Sequence, residues 1–281
     1  MKKVLRTGLV ALVIVSCAGS ASALSLGSVG GMAKDAADVA KSMSMSTKQE
    51  MEIGAQVHPQ ILAEMGGEYS NKAVHDYVNR IGQKLAAKST RKGIDYKFTV
   101  VNSTMVNAFA LPGGYVYVTR GILSVMKDEA ELAAVVGHEI GHVEAKHGVE
   151  RMQKAMLAEK GTKYAAKGGG QVAGALGEKA LGELTKMFSK IALSGYGRKD
   201  ELEADRIGIR LANGNGYDPN GAVRLFQTLL KLEGGKSKGG LYASHPDTKK
   251  RIEQAESEVA KLGTKGKTTN KPQYAAILKK V

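Results

Sequence analysis

The amino-acid sequence predicts an α+β fold, mostly helical, with one small β-sheet. Two patterns carry that prediction. Apolar residues recur at helical spacing through most of the chain, whereas runs rich in β-branched and aromatic residues are confined to one block between Asp95 and Thr119. Composition is the third observation: of 281 residues, 43% are hydrophobic and 24% charged, which suits a chain with a full core rather than a disordered one. The length allows one principal domain with short extensions.

In chain order, Met1-Lys2-Lys3 and Arg6 precede an apolar run from Leu9 to Val15 and the small residues Ala21-Ser22-Ala23, which is how an export signal is built. The run is shorter than the roughly 20 residues that span a bilayer. Cys17, the single cysteine, excludes an intramolecular disulfide and sits in an imperfect lipobox after Ile14-Val15-Ser16. Cleavage before Cys17 leaves a lipid-anchored protein with a signal at 1–16. Cleavage after Ala23 leaves a soluble one with a signal at 1–23. The sequence leaves both open. Residues 24–45, rich in Gly, Ser, Ala and Met without a period, read as a linker.

The domain is expected over 46–262. Thr47 and Glu50 suggest a capping box that opens a helix with Ile53, Val57, Ile61 and Leu62 on one face. A second helix is expected over 71–87 with Val74, Val78, Ile81 and Leu85 at helical spacing. Tyr96, Phe98 and Val100, then 107–111, a Pro112-Gly113-Gly114 turn and 115–119 predict a small antiparallel sheet. Asp128 then opens a helix through about His147, with Leu132, Val135, Val136, Ile140 and Val143 on its buried side. Gly168-Gly169-Gly170 and neighbouring glycines predict a broken or frayed helix over 151–182. The apolar face of Leu181, Leu184, Met187, Phe188 and Ile191 fits the core, a cover for the site or a membrane surface. Helices over 199–213, up to Glu233 and over 247–262 complete the body.

The net charge of +14 is partly local, because six lysines and no acids follow from Lys261 onward. That composition predicts a solvated basic tail over 263–281, with contact to anionic lipid as the alternative. Export and the lack of basic residues interleaved with aromatic ones argue against nucleic acid.

His138-Glu139-Ile140-Gly141-His142 is an HExxH motif inside the helix that Asp128 opens. Residues four apart share a helical face, so two imidazoles can meet one Zn2+ while Glu139 stands beside them as general base. A third ligand is then required. Glu201-Leu202-Glu203-Ala204-Asp205 supplies it on a later helix: Glu201 is the candidate ligand, Asp205 one turn on is the candidate acceptor for the outer nitrogen of a ligating histidine, and Glu203 is the weaker alternative. His147 is one residue from where some HExxH enzymes place a third histidine, and reads as a surface or helix-terminal residue.

Together with Asn107-Ala108-Phe109-Ala110-Leu111-Pro112-Gly113-Gly114 and Ser244-His245-Pro246, these motifs make residues 46–262 resemble the HExxH zinc peptidase family that includes the CAAX prenyl endopeptidases, the stress protease HtpX and the periplasmic proteases BepA and LoiP. The resemblance implies a gluzincin-type domain, one zinc per chain and hydrolysis of peptide bonds by metal-activated water. It implies that His245 and Arg251 stabilise the oxyanion, or that His245 fills the open metal position at rest. It further implies that Asn107, Ala108, Phe109 and Ala110 form an edge strand against which polypeptide substrates pair. Unfolded or misassembled envelope proteins are the implied substrates, and the periplasm, with the protein soluble or lipid-anchored to the outer membrane, is the implied location. The alternative is an envelope-protein folding or assembly factor with latent protease activity.

Overall fold

The computed structural model describes residues 45–160, 178–233, 245, 248–262 and 267–281; the expected signal segment, Cys17 and residues 24–44 of the linker lie outside them. Helix α1, Thr47–Glu64, is capped by Ser46, whose side chain accepts from the Gln49 amide while the Gln49 side chain accepts from the Ser46 amide. The capping box therefore starts one residue earlier than expected from Thr47 and Glu50. Glu50 is buried instead, with both carboxylate oxygens 2.5 Å from the Arg91 guanidinium. Helix α2, Lys72–Ala86, is capped by Asn71 and buries Val74, Val78, Ile81 and Leu85 as its spacing predicts.

Strands β1 (Lys97–Val101), β2 (Ala108–Leu111) and β3 (Tyr115–Thr119) form one sheet in the order β1-β3-β2. The sheet is mixed, which corrects the expectation of an antiparallel one. β2 and β3 are an antiparallel hairpin, whereas β1 pairs parallel to β3. Two glycines at φ 82° and 92°, Gly113 and Gly114, make the hairpin turn in a region that disfavours other residues. After β1 the chain is drawn off the sheet, with the Asn102 amide donating to Gly67 and Ser103 accepting from Gly121, so β2 returns on the far side of β3. Both sheet faces are covered. Phe98, Val100, Val116 and Val118 join the main core, and Phe109, Leu111, Tyr115 and Tyr117 meet Ile53, Val57 and Ile61 of α1.

After the short helix α3 (Arg120–Val125), helix α4 spans Glu129–Glu144 and is buried along nearly its whole length. Asp128 caps it by accepting from the Glu131 amide at 3.0 Å. It ends three residues before the expected His147, because Lys146 takes a left-handed conformation at φ 62°, and helix α5 (His147–Lys160) starts afresh. Helices α6 (Glu178–Ser194), α7 (Arg198–Gly214), α8 (Asn220–Glu233), α9 (Thr248–Leu262) and α10 (Lys271–Leu278) follow. Gly168 to Gly170, where a break was expected, lie outside the described residues. Leu184 and Phe188 of α6, with Met187 beside them, pack into the cluster formed by α1 and the sheet, so the described part of that apolar face belongs to the core.

Helices α4 and α7 approach closely in the core. A methyl group on Gly208 would sit 2.7 Å from the His138 amide nitrogen, and one on Gly141 would sit 2.8 Å from the Ala204 carbonyl. Backbone meets backbone here, which holds the two helices that carry the candidate ligands at one fixed separation.

Residues 267–281 of the expected basic tail are folded, contrary to the expectation of a solvated one. Tyr274 of α10 is fully buried and donates to the Leu123 carbonyl at 2.6 Å, and Ile277, Leu278 and Val281 pack on the core. Lys267, Lys271, Lys279 and Lys280 stay exposed. Counting lysines hid the apolar residues between them.

Candidate metal centre

Helix α4 presents His138, Glu139 and His142 in its last two turns, and the four-residue spacing sets the two imidazole Nε2 atoms 3.0 Å apart. Helix α7, held close by Gly208, brings Glu201 to them: its Oε2 is 3.4 Å from His138 Nε2 and its Oε1 is 3.6 Å from His142 Nε2. His245, next to the start of α9, completes the group. Its Nδ1 lies 3.2 Å from His138 Nε2 and 2.6 Å from Glu201 Oε2, and its Nε2 lies 3.8 Å from Glu139 Oε1. One ligand atom from each of His138, His142, Glu201 and His245 falls within 4.8 Å of all the others, and all four residues are buried.

Asp205, one turn beyond Glu201, accepts from His138 Nδ1 at 2.7 Å. That bond places the proton on Nδ1 and leaves the His138 Nε2 lone pair directed into the cluster. Arg251 of α9 donates to both Asp205 oxygens, at 2.7 and 2.8 Å, and its third nitrogen is 3.5 Å from Glu201. All three guanidinium nitrogens thus face carboxylates of the cluster. Glu203, the weaker alternative ligand, is partly exposed and lies 3.7 Å from His147.

The electrostatics of these groups favour a bound cation. Burial works against charge on Glu201, but His245, His138 and His142 outweigh it and hold the carboxyl well below the usual range. Burial and the neighbouring His138 keep His142 neutral, the form that ligates. Burial also opposes charge on His138, but Asp205 and Glu201 push its pKa up to about 9, so the carboxylates draw positive charge to this point. Glu139 is raised, chiefly by burial, toward the range of a working base. Among the described residues, Glu201 Oε1 and Glu139 Oε2 are buried without a hydrogen-bond partner. Two converging imidazole nitrogens, a buried carboxylate and an orphaned oxygen fit a divalent metal of the zinc class.

Two further residues of the site escaped the sequence reading. His147 is buried rather than on the surface, with its Nδ1 2.8 Å from His142 Nδ1. Tyr196 stacks on the His142 ring at 4.1 Å between centroids. His147 sits at the start of α5 as expected of a helix-terminal residue, but the left-handed Lys146 that turns it inward has no signature in the sequence.

Asn107 is buried, and Ala108, Phe109 and Ala110 lie in β2, an outer strand of the sheet that packs beside α4. Thr119 ties the start of this strand to β3 by donating to the Asn107 carbonyl at 2.7 Å and accepting from its amide at 3.2 Å.

The model of Peptidase family M48 matches residues 72–259. Metalloprotease LoiP of Escherichia coli is 30% identical over 225 residues, which cover 80% of this chain and 82% of that protein. The mitochondrial metalloendopeptidase OMA1 of Arabidopsis thaliana is 37% identical over 171 residues, covering 59% of this chain and 32% of its own length. The Escherichia coli beta-barrel assembly-enhancing protease is 27% identical over 222 residues, covering 74% and 44% respectively. The chain thus spans well under two thirds of two of these three relatives. The matched stretch runs from α2 to α9 and contains the HExxH helix, Glu201, Asp205 and His245, so the chain belongs to peptidase family M48, a family of metalloproteases.

Proposed function

We propose that this protein is a zinc-dependent endopeptidase of the cell envelope that hydrolyses unfolded or misassembled polypeptides. The observation that carries the reading is the buried convergence of His138, His142, Glu201 and His245 beside Glu139. Zinc, when bound by His138, His142 and Glu201, supplies a Lewis acid that acidifies a water and polarises the scissile carbonyl. Glu139 takes the proton as the water oxygen bonds to the carbonyl carbon, and delivers it to the amine as the carbon–nitrogen bond breaks. Asp205, clamped by Arg251, fixes the tautomer of His138. His245, with Nδ1 in hydrogen-bond reach of Glu201, would be a fourth ligand at rest and would have to withdraw for a carbonyl to enter; donation to the developing oxyanion is its alternative role. An extended substrate would add as a strand along Asn107 to Ala110.

The envelope location is supported by the export-like N-terminal segment and by the name of the beta-barrel assembly-enhancing relative. Among the described residues no helix is long and apolar enough to cross a membrane. A lipid on Cys17, or the exposed lysines of the C-terminal segment, would provide membrane association. The position of His245 within the cluster favours a second reading, a folding or assembly factor whose protease activity is latent.

The test is metal content by plasma mass spectrometry alongside casein cleavage, for wild type, Glu139→Gln and Glu201→Ala. One zinc per chain, cleavage abolished by chelator and by both substitutions, and metal lost mainly in Glu201→Ala are expected. Zinc without cleavage would favour the latent factor, and absence of zinc would overturn the assignment.

A further inference from the structure

Among the described residues, the two HExxH histidines are held from behind in different ways. His138 has the common arrangement, its outer nitrogen bonded to the Asp205 carboxylate. His142 faces another imidazole. Its Nδ1 is 2.8 Å from Nδ1 of His147, a residue only 5% exposed. The contact is built by the chain reversal at Lys146, φ 62°, which ends α4 just past His142 and returns the first residue of α5 over its ring. Tyr196 closes the other side, with ring centroids 4.1 Å from His142 and 5.8 Å from His147.

We propose that His147 is a positioning residue for the metal ligand His142, fixing its tautomer and ring plane by accepting a hydrogen bond at Nδ1. The inference rests on His142 being a ligand through Nε2, the atom that faces His138 and Glu201. With Nε2 committed to a metal, the one proton of neutral His142 sits on Nδ1 and donates. His147 Nδ1 must then be unprotonated, so the proton of neutral His147 sits on Nε2. That atom is 3.7 Å from the Glu203 carboxylate, beyond a direct hydrogen bond but close enough to favour an N–H there. The tautomers along His142, His147 and Glu203 form one consistent chain. Glu203 thereby has a place in the site behind the ligands instead of among them.

The test measures zinc affinity of the full chain by chelator competition, with circular dichroism to verify folding. His147→Leu removes the acceptor and is expected to weaken binding about 10- to 100-fold, the range typical of lost outer partners. His147→Asn places an oxygen where Nδ1 stood and is expected to bind within about threefold of wild type. Equal affinity for wild type and His147→Leu would overturn the proposal. His142→Ala is the control for the reading beneath it: if that variant keeps full zinc affinity, the ligand assignment fails and takes the inference with it. Nitrogen-15 NMR of histidine in zinc-loaded wild type reads the tautomers without any substitution. Protons on His142 Nδ1 and His147 Nε2 are expected, and a proton on His147 Nδ1 would overturn the proposal even if His147→Leu does not fold.

Discussion

Two opposed roles are proposed for His245, and its distances favour one of them. An oxyanion donor should stand off the ligand atoms by the length of a substrate carbonyl, whereas His245 Nδ1 is 2.6 Å from Glu201 and 3.2 Å from His138 Nε2. At those distances it would fill the position that a catalytic metal keeps open, as proposed for the resting state. His245→Ala is therefore expected to raise cleavage of an unfolded substrate severalfold while zinc stays at one per chain. A fall in kcat with zinc retained would instead assign the oxyanion role. At the same scale, Asp205→Asn keeps the shape but weakens the acceptor for His138 Nδ1, and should cost about 10- to 100-fold in zinc affinity, read by chelator competition. The convergence of His138, His142 and Glu201 was legible because it follows from spacing: residues four apart share a helical face, and an acid is needed nearby. His147 and Tyr196 were not, because a ring-on-ring contact across a left-handed residue leaves no periodic trace.

Helices and strands were legible as elements, but the pairing direction of strands buried on both faces was not. The face of α2 followed from Val74, Val78, Ile81 and Leu85. β1 and β3 are buried on both sides, so their sequences carry no alternation that would distinguish a parallel partner from an antiparallel one. The capping box of α1 was misplaced by one residue because Thr47 and Glu50 match the pattern as well as Ser46 and Gln49 do, and only the burial of Glu50 against Arg91 separates them. The crossing of α4 and α7 was invisible for the opposite reason: glycine inside a helix reads as weakness. Gly208 lets the His138 amide approach to a distance that a β-carbon would occupy. Gly208→Ala must push the helices apart, at a cost of roughly 1–3 kcal/mol. Urea unfolding should show that loss, and zinc affinity should fall with it because Glu201 moves with α7. A variant destabilised but with unchanged zinc affinity would show that the crossing does not set the ligand distances.

At the scale of the molecule, Glu129 joins the C-terminal segment to the helix that carries the site. Its buried carboxylate accepts from Tyr77 at 2.5 Å, Tyr217 at 2.7 Å and Asn270 at 2.9 Å, while its amide donates to Thr269. Burial alone would raise its pKa, but these donors and Arg80 outweigh it and leave the carboxyl below its ordinary value of 4.5. A depressed folded-state pKa means that the unfolded chain binds the proton more readily, so the contribution to stability is fully present above about pH 4.5 and is lost as the pH falls through the folded value. Glu129→Gln keeps the size but turns one acceptor oxygen into a donor facing other donors, and should destabilise by about 1–3 kcal/mol at pH 7. The gap from wild type should stay level from pH 7 to about pH 5 and narrow below about pH 4.5, measured by urea unfolding across that range. A gap that does not change with pH would mean that the contacts matter only through packing. Tyr274→Ala, at the other anchor of the same segment, should cost about 3–5 kcal/mol with no such pH dependence, because its hydroxyl donates to a backbone carbonyl that does not titrate in this range.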